Sequence, residues 1–239
     1  DFSTRRDEIG ELSASLREMT DALWQRMSAN ERFAADVAHE IKNPLTSLRS
    51  AVETVARVRD PKQQATLMAI IHDDVRRLDR LITDISDASR LDAELARGHT
   101  EEIDLSKLLP ALVQVHQAAN MDGSQPKIVF RGGQGEDCTV LGIEGRLVQV
   151  FQNLISNARS FSPPDGEITL SVLRDRADVV VRVDDRGPGI PPDNLDSIFE
   201  RFYSERPEGE SFGKHSGLGL SISRQIVEAH NGEIYAENR

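Results

Sequence analysis

A single cysteine, Cys138, stands among 239 residues, so no intrachain disulfide can staple the fold, and no Cys/His spacing makes a zinc site. That scarcity fits a reducing cytoplasmic setting and leaves Cys138 as a small packed residue. No apolar run approaches the roughly 18 to 20 residues needed to span a bilayer, and Asp1-Phe2-Ser3 opens without a signal-peptide pattern. The expectation is a soluble chain. Basic residues are outnumbered, 29 Lys and Arg against 40 Asp and Glu, for a net charge of -11; this excludes sequence-independent binding to nucleic-acid phosphates. With 38% apolar and 29% charged residues the chain is ordinary globular protein, long enough for one or two domains with real cores. It opens inside a charged helical pattern and stops just after Glu233-Ile234-Tyr235-Ala236, as an excised fragment would.

Ile9, Leu12, Leu16, Met19, Leu23 and Met27 recur at spacings of three and four among charged residues, a coiled-coil-like seam. Phe33, Val37, Ile41, Leu45, Leu48, Val52 and Val55 carry the pattern to Arg59-Asp60-Pro61, where proline can begin a helix but not continue one. Leu67, Ile70, Ile71, Val75, Leu78, Leu81, Ile82, Ile85 and Leu91 predict a return helix over 61–91. Such a hairpin exposes an apolar stripe that little else in the segment can cover, so a second copy is the expected partner, giving a four-helix-bundle dimer. Residues 96–103 break the periodicity and are expected as a linker. Beyond them the pattern predicts helices over 105–119, 143–161 and 218–230, with strands over 127–131, 167–174, 179–184 and 233–236. That order suggests an α/β sandwich of one sheet against one helical layer.

Several clusters point to chemistry. His39-Glu40-Ile41-Lys42-Asn43-Pro44 puts an imidazole beside a carboxylate on a helix. A neutral imidazole is a nucleophile, and a carboxylate can hold its other nitrogen as donor. Asn153 and Asn157 are four apart, so their amide oxygens share a helix face and can join phosphate oxygens around a hard cation. In Asp185-Arg186-Gly187-Pro188-Gly189 the glycines admit close approach of a ligand, while a buried carboxylate accepts from an exocyclic amine such as adenine offers. Gly217, Leu218 and Gly219 open a helix whose unpaired N–H groups favour phosphate. Between the two loops, Phe199-Glu200-Arg201-Phe202 leads into a polar, Gly-containing stretch suited to a lid. Pro44 inside a helical pattern removes one hydrogen bond and could localise bending beside His39.

In that order these residues resemble the core of the two-component sensor histidine kinases. His39-Glu40 with Asn43-Pro44 is similar to the family's H-box, Asn153 through Ala158 to its N-box, Asp185 through Gly189 to its G1 box, Phe199 through Phe202 to its F-box, and Gly217 through Leu220 to its G2 box. The resemblance implies an end of a HAMP relay over 1–28, from Arg6-Asp7-Glu8-Ile9-Gly10 and the seam after it. It further implies a dimerisation and phosphotransfer hairpin over 29–95 and a Bergerat-type ATP-binding domain over 104–239, short of the family's last strand. The chain would then be the cytoplasmic portion of an inner-membrane receptor, touching the membrane only through segments absent from it. Residues 45–54 and 206–210 resemble ChvG-type kinases of alphaproteobacteria, which implies an OmpR-like, ChvI-type response regulator as partner beside the homodimer.

Carried over position by position, the resemblance implies that His39 accepts the γ-phosphoryl group of ATP, Glu40 assists as base, and Asn43 orients the water that dephosphorylates the regulator. Asn153 and Asn157 would hold Mg²⁺ and phosphates, Asp185 would read adenine, and Gly187, Gly189, Gly217, Leu218 and Gly219 would line the pocket. Many members place a lysine where this chain has Ser160, so Arg159, Arg206 and Lys214 become candidates for phosphate contact. The alternative from another class is a catalytically silent, nucleotide-binding dimeric scaffold. His72, His99, His116, His215 and His230 lack comparable neighbours and read as surface or packing residues.

Overall fold

The computed structural model describes residues 8–118, 120, 125–133, 135–203 and 216–238. They divide into two compact units, Asp1–Val75 and Arg76–Arg239. In the first, α1 (Glu8–Val55) runs without interruption through Pro44. Proline has no N–H, so the carbonyl of Glu40, four residues earlier, loses its helical donor. The pyrrolidine ring is buried, and Thr46 Oγ1 donates back to the Lys42 carbonyl at 2.9 Å. The helical turn ends at residues 56–60, and α2 (Pro61–Arg97) starts on proline, whose missing N–H would have been unpaired there anyway. Asp60 caps that start: its Oδ1 accepts the Lys62 N–H at 3.1 Å and its carbonyl the Gln64 N–H at 2.9 Å. Gln64 Nε2 donates to the Val58 carbonyl at 2.7 Å, which closes the turn where Asp60-Pro61 predicts it.

α2 continues to Arg97 rather than ending near Leu91. Its last turn stops at Gly98, whose N–H donates to the Glu94 carbonyl at 2.6 Å; any side chain on Gly98 would collide with Ile143. Residues 96–103, expected as a linker, therefore hold the end of α2, a three-residue turn and most of a strand.

That strand, β1 (Glu101–Asp104), pairs antiparallel with β3 (Thr139–Gly142). A second sheet has the order β2-β4-β5: β2 (Lys127–Gly132) runs parallel to β4 (Glu167–Asp175), and β4 antiparallel to β5 (Asp178–Asp184). The α/β domain is thus built on two sheets, where one was expected. β1 and β3, four residues each, are too short to display a period-2 pattern. Residues 232–238 form no strand, against the expectation for 233–236, because alternation makes a strand only where a neighbour supplies the ladder.

Strand β4 alternates cleanly, with Ile168, Leu170 and Val172 buried. The helices α3 (Leu105–Ala118), α4 (Glu144–Phe161) and α5 (Gly219–Ala229) bury Leu109 and Val113, then Leu147, Phe151, Ile155 and Ala158, then Ile222 and Ile226. His230 joins two of them. Its Nε2 accepts the Ile143 N–H at 3.0 Å and its Nδ1 lies 2.7 Å from the Ile226 carbonyl, so the Nδ1–H tautomer is the one that satisfies both.

The second unit also includes the last part of α2. Asp84, Asp87 and Glu94 fall on one face at helical spacing, together with buried Leu91. Asp84 hydrogen-bonds with Ser216, Asp87 Oδ2 accepts from Gln149 Nε2 at 3.4 Å, and Glu94 pairs with Arg146. Partial burial pushes the Asp84 carboxyl up; the Ser216 hydrogen bond pulls it down, the Asp87 charge raises it and Arg80 lowers it, with a net rise. An acid raised in the folded state contributes stability that is complete below its unfolded pKa of about 4 and is lost as pH rises through the folded value. Asp84→Asn keeps a partner for Ser216 and removes the desolvated charge. Thermal melts should therefore show a larger gain in Tm for this variant at pH 8 than at pH 4, and equal shifts at both would refute the assignment.

Candidate active site

On α4 the buried residues Leu147, Phe151, Ile155 and Ala158 occupy one face, and Asn153 and Asn157, one turn apart, are half-buried on another. Asn153 Nδ2 donates to the Gly219 carbonyl at 3.0 Å and to Ser223 Oγ at 3.3 Å. Ser223 Oγ donates in turn to the same Gly219 carbonyl at 2.8 Å. With its N–H groups engaged toward α5, the Asn153 amide has its oxygen as the remaining acceptor.

The segment before α5 is built around Gly217. Its φ is +73°, and a Cβ there would lie 2.8 Å from Phe202 Cα and 2.9 Å from the Phe202 carbonyl carbon. Phe202 N–H donates to the Gly217 carbonyl at 2.9 Å, and Phe202 itself sits at φ +61°, a left-handed conformation that costs a bulky residue free energy. Phe199 is buried, with the Arg224 guanidinium of α5 5.4 Å from its ring centre. Backbone pairing and aromatic packing thus hold the aromatic segment against the second Gly loop. Leu218 N–H donates to Ser216 Oγ at 3.2 Å, and Leu218 is buried at the entry to the helix. Arg206 and Lys214, and His215 with them, lie outside the described residues.

The first Gly loop leaves β5 and lies on the end of α4. Arg186 N–H donates to Ser162 Oγ at 3.3 Å, and a Cβ on Gly187 would come 3.0 Å from the Phe161 carbonyl oxygen. Asp185, expected as a buried carboxylate, is exposed. It sits just past the sheet, where its Oδ1 accepts the Gly187 N–H at 2.7 Å in a tight local turn. Arg159 turns away from the two asparagines: its guanidinium donates to the His116 carbonyl at 3.0 Å and lies 3.2 Å from His116 Nδ1. It ties α4 to α3 instead of reaching for phosphate. Burial, then the Arg159 charge, depresses the His116 pKa. A cavity of about 470 Å³ opens beside this tie, near Gln117, Lys127 and Asp165; among the described residues expected to contact nucleotide, only Arg159 borders it.

Among the described residues no group of three or more His, Cys, Asp or Glu side chains could hold a metal ion. The donors on offer are the Asn153 and Asn157 amide oxygens, which suit a hard cation that takes its remaining ligands from phosphate and water. In the first unit His39 is exposed on α1, Glu40 is half-buried, and Asn43, one turn on, is exposed. No described helix is long and apolar enough to cross a membrane.

Ser223 and Ser216 were not anticipated as members of this arrangement. Ser223 was legible in principle, since it stands four residues after Gly219 on a helix; the pairing of Ser216 with Asp84 on α2 left no trace in local pattern.

Two family models match the chain. The His Kinase A (phospho-acceptor) domain covers residues 29–94, and the Histidine kinase-, DNA gyrase B-, and HSP90-like ATPase domain covers residues 142–239. The whole chain is 54% identical to the sensor protein ChvG of Rhizobium meliloti (strain 1021) and 53% identical to ChvG of Agrobacterium fabrum. The chain belongs to the sensor histidine kinases. It is a histidine kinase core of the ChvG type, spanning 42% and 41% of the length of those two relatives. Its fold matches the histidine kinase ThkA, solved in complex with the response regulator protein TrrA, with a TM-score of 0.71 over 98% of this chain and 64% of that one at 26% identity. The ATPase domain of this kinase core implies ATP binding. Gly217→Ala adds a methyl group against Phe202 at a backbone angle that disfavours it. Calorimetric titration should show ATP affinity reduced about tenfold, a cost of about 1.4 kcal/mol; native-like affinity would mean that Phe202 yields freely.

Proposed function

We propose that the chain is an ATP-dependent protein-histidine kinase that phosphorylates its own His39 and passes the phosphoryl group to an aspartate of a response regulator. The observation that carries this reading is the Asn153 carboxamide bridging α4 to the Gly219 carbonyl and Ser223. It sets the Asn153 amide beside the entry of α5 just after Gly217, with Asn157 one turn further along α4, an arrangement suited to a triphosphate with its cation.

In this mechanism the neutral His39 imidazole attacks the γ-phosphorus with one ring nitrogen. The N–P bond forms, the bond to the β–γ bridging oxygen breaks, and ADP leaves. Glu40 accepts the proton from the other ring nitrogen, so the phosphoimidazole ends neutral at the ring. Asn153 and Asn157 hold Mg²⁺ and the phosphate oxygens, Asp185 accepts from the adenine amine, and Gly187, Gly189, Gly217, Leu218 and Gly219 let the backbone approach the nucleotide. Mg²⁺, when bound, neutralises charge that develops on the transferring and leaving oxygens.

Asn43, one helical turn after His39, would orient water against a phosphorylated regulator and so give the kinase a phosphatase activity as well. The regulator as partner is supported by the relative ThkA, solved with TrrA; the ChvG likeness favours an OmpR-like, ChvI-type regulator. Homodimerisation rests on the apolar seam: Leu12, Leu16, Met19 and Leu23 are each about 60% exposed or more, and a second copy of α1 is the partner whose spacing matches. The same seam, similar to the end of a HAMP relay, supports assignment to the cytoplasmic portion of an inner-membrane receptor. Arg6 and Asp7 of that likeness lie outside the described residues.

Incubation with γ-labelled ATP and Mg²⁺ tests the reading. The native chain should acquire label that survives base and is lost in acid, and His39→Gln should abolish it. ATP binding without label on the native chain would favour the silent scaffold. Pro44→Ala restores a helical donor to the Glu40 carbonyl and should change the ratio of autophosphorylation to regulator dephosphorylation several-fold. An unchanged ratio would remove the idea that α1 bends at this point.

A further inference from the structure

Residues 232–238 have no ladder of their own, yet they hold the first Gly loop through one side chain. Asn238 Oδ1 accepts the Ile190 N–H at 2.9 Å, and Asn238 Nδ2 donates to the Ile190 carbonyl at 2.6 Å. One carboxamide satisfies both backbone groups of a single residue, as a neighbouring strand would. Gly189, immediately before, has φ +80°, and a Cβ on it would lie 3.0 Å from Asn238 Oδ1. At the other end of the loop Asp185 Oδ1 accepts the Gly187 N–H at 2.7 Å. The six residues 185–190 are therefore closed by a local turn at the start and by a residue 48 positions away at the end.

We infer that Asn238 is a positioning residue for nucleotide binding, holding the loop from Asp185 to Ile190 in the conformation that receives the adenine end of ATP. This rests on the reading of Asp185 as the adenine-recognising carboxylate. Asn238 acts only through the backbone of Ile190. The geometry specifies the side chain: Asp accepts but cannot donate and would set a carboxylate against the Ile190 carbonyl, and a Ser hydroxyl cannot span both groups.

Loss of the clamp lowers the fraction of molecules with a competent loop, and apparent affinity falls by that fraction. The effect belongs to the base end of the nucleotide, so it should be equal for ATP and ADP, with KM for ATP raised and kcat kept. Calorimetric titration of the native chain, Asn238→Asp and Asn238→Ser with ATP and with ADP, alongside amide hydrogen exchange, provides the test. Asn238→Asp should weaken both nucleotides by the same factor, about tenfold, and accelerate exchange over 185–191 while α4 and β4 exchange as in the native chain. Asn238→Ser should fall between. Native-like affinity in Asn238→Asp, or a loss confined to ATP, would overturn the clamp and leave the nucleotide reading standing. A native chain that binds neither nucleotide would overturn both. If Asn238→Asp also loosens α4 and β4, Asn238→Ser decides: weakened binding with native exchange in α4 supports the clamp, and unaltered binding overturns it.

Discussion

The Asn153 carboxamide reaches across from α4 to the first turn of α5 and donates to a carbonyl 66 residues further along the chain. Much else in the ATPase domain is arranged around that bond. It holds Gly219 against the middle of α4, and Ser223 closes a small polar triangle on the same carbonyl. Because the contact is partly buried, each polar group in it needs a partner, and the partners are supplied from two helices that meet only in the folded domain. Leu218 and Ile222 are buried on either side of Gly219, so the polar bridge and the apolar packing of α5 reinforce each other.

From this bridge the remaining site segments hang by backbone contacts. Gly217 and Phe202 exchange a hydrogen bond at a distance where no Cβ fits. The first Gly loop rests on Phe161 and Ser162 at the end of α4 and is met from outside by Asn238. α4 thus acts as the common rail, with Asn153 at its middle and the first loop at its end. Side chains along its other face, from Leu147 to Ala158, supply the burial that keeps it fixed. The final turns of α2 join this rail too, through Glu94 to Arg146 and Asp87 to Gln149, and Asp84 reaches the residue that precedes Gly217.

The hairpin obeys simpler rules. α1 and α2 are long because apolar residues recur at helical spacing without a breaker, and Asp60 with Pro61 ends one and begins the other within five residues. Pro44 is the exception inside α1: helix geometry persists around it, while one carbonyl next to His39 goes without its usual donor.

Period and punctuation in the sequence determined the helical hairpin, the place of its turn, the strands β2, β4 and β5 and the three helices of the second domain, since all of these follow from local preference over ten or more residues, from alternation, or, in β2, from a short β-branched and aromatic run. The shared face of Asn153 and Asn157 was also legible, because residues at i,i+4 lie together whatever packs against them, whereas the left-handed backbone at Gly217 was not. Tertiary structure alone decided the rest. The strands β1 and β3 exist only because each finds the other; 233–236 alternates but has no ladder and so is no strand. Arg159 points to His116, Asp185 is exposed, α2 runs on to Arg97 where Gly98 meets Ile143, and Asn238 and His230 bind backbone groups far away in sequence. A hydrogen bond between distant segments leaves no periodic signal in either of them. Its strength depends on a partner that the fold, and not the neighbouring residues, brings within reach.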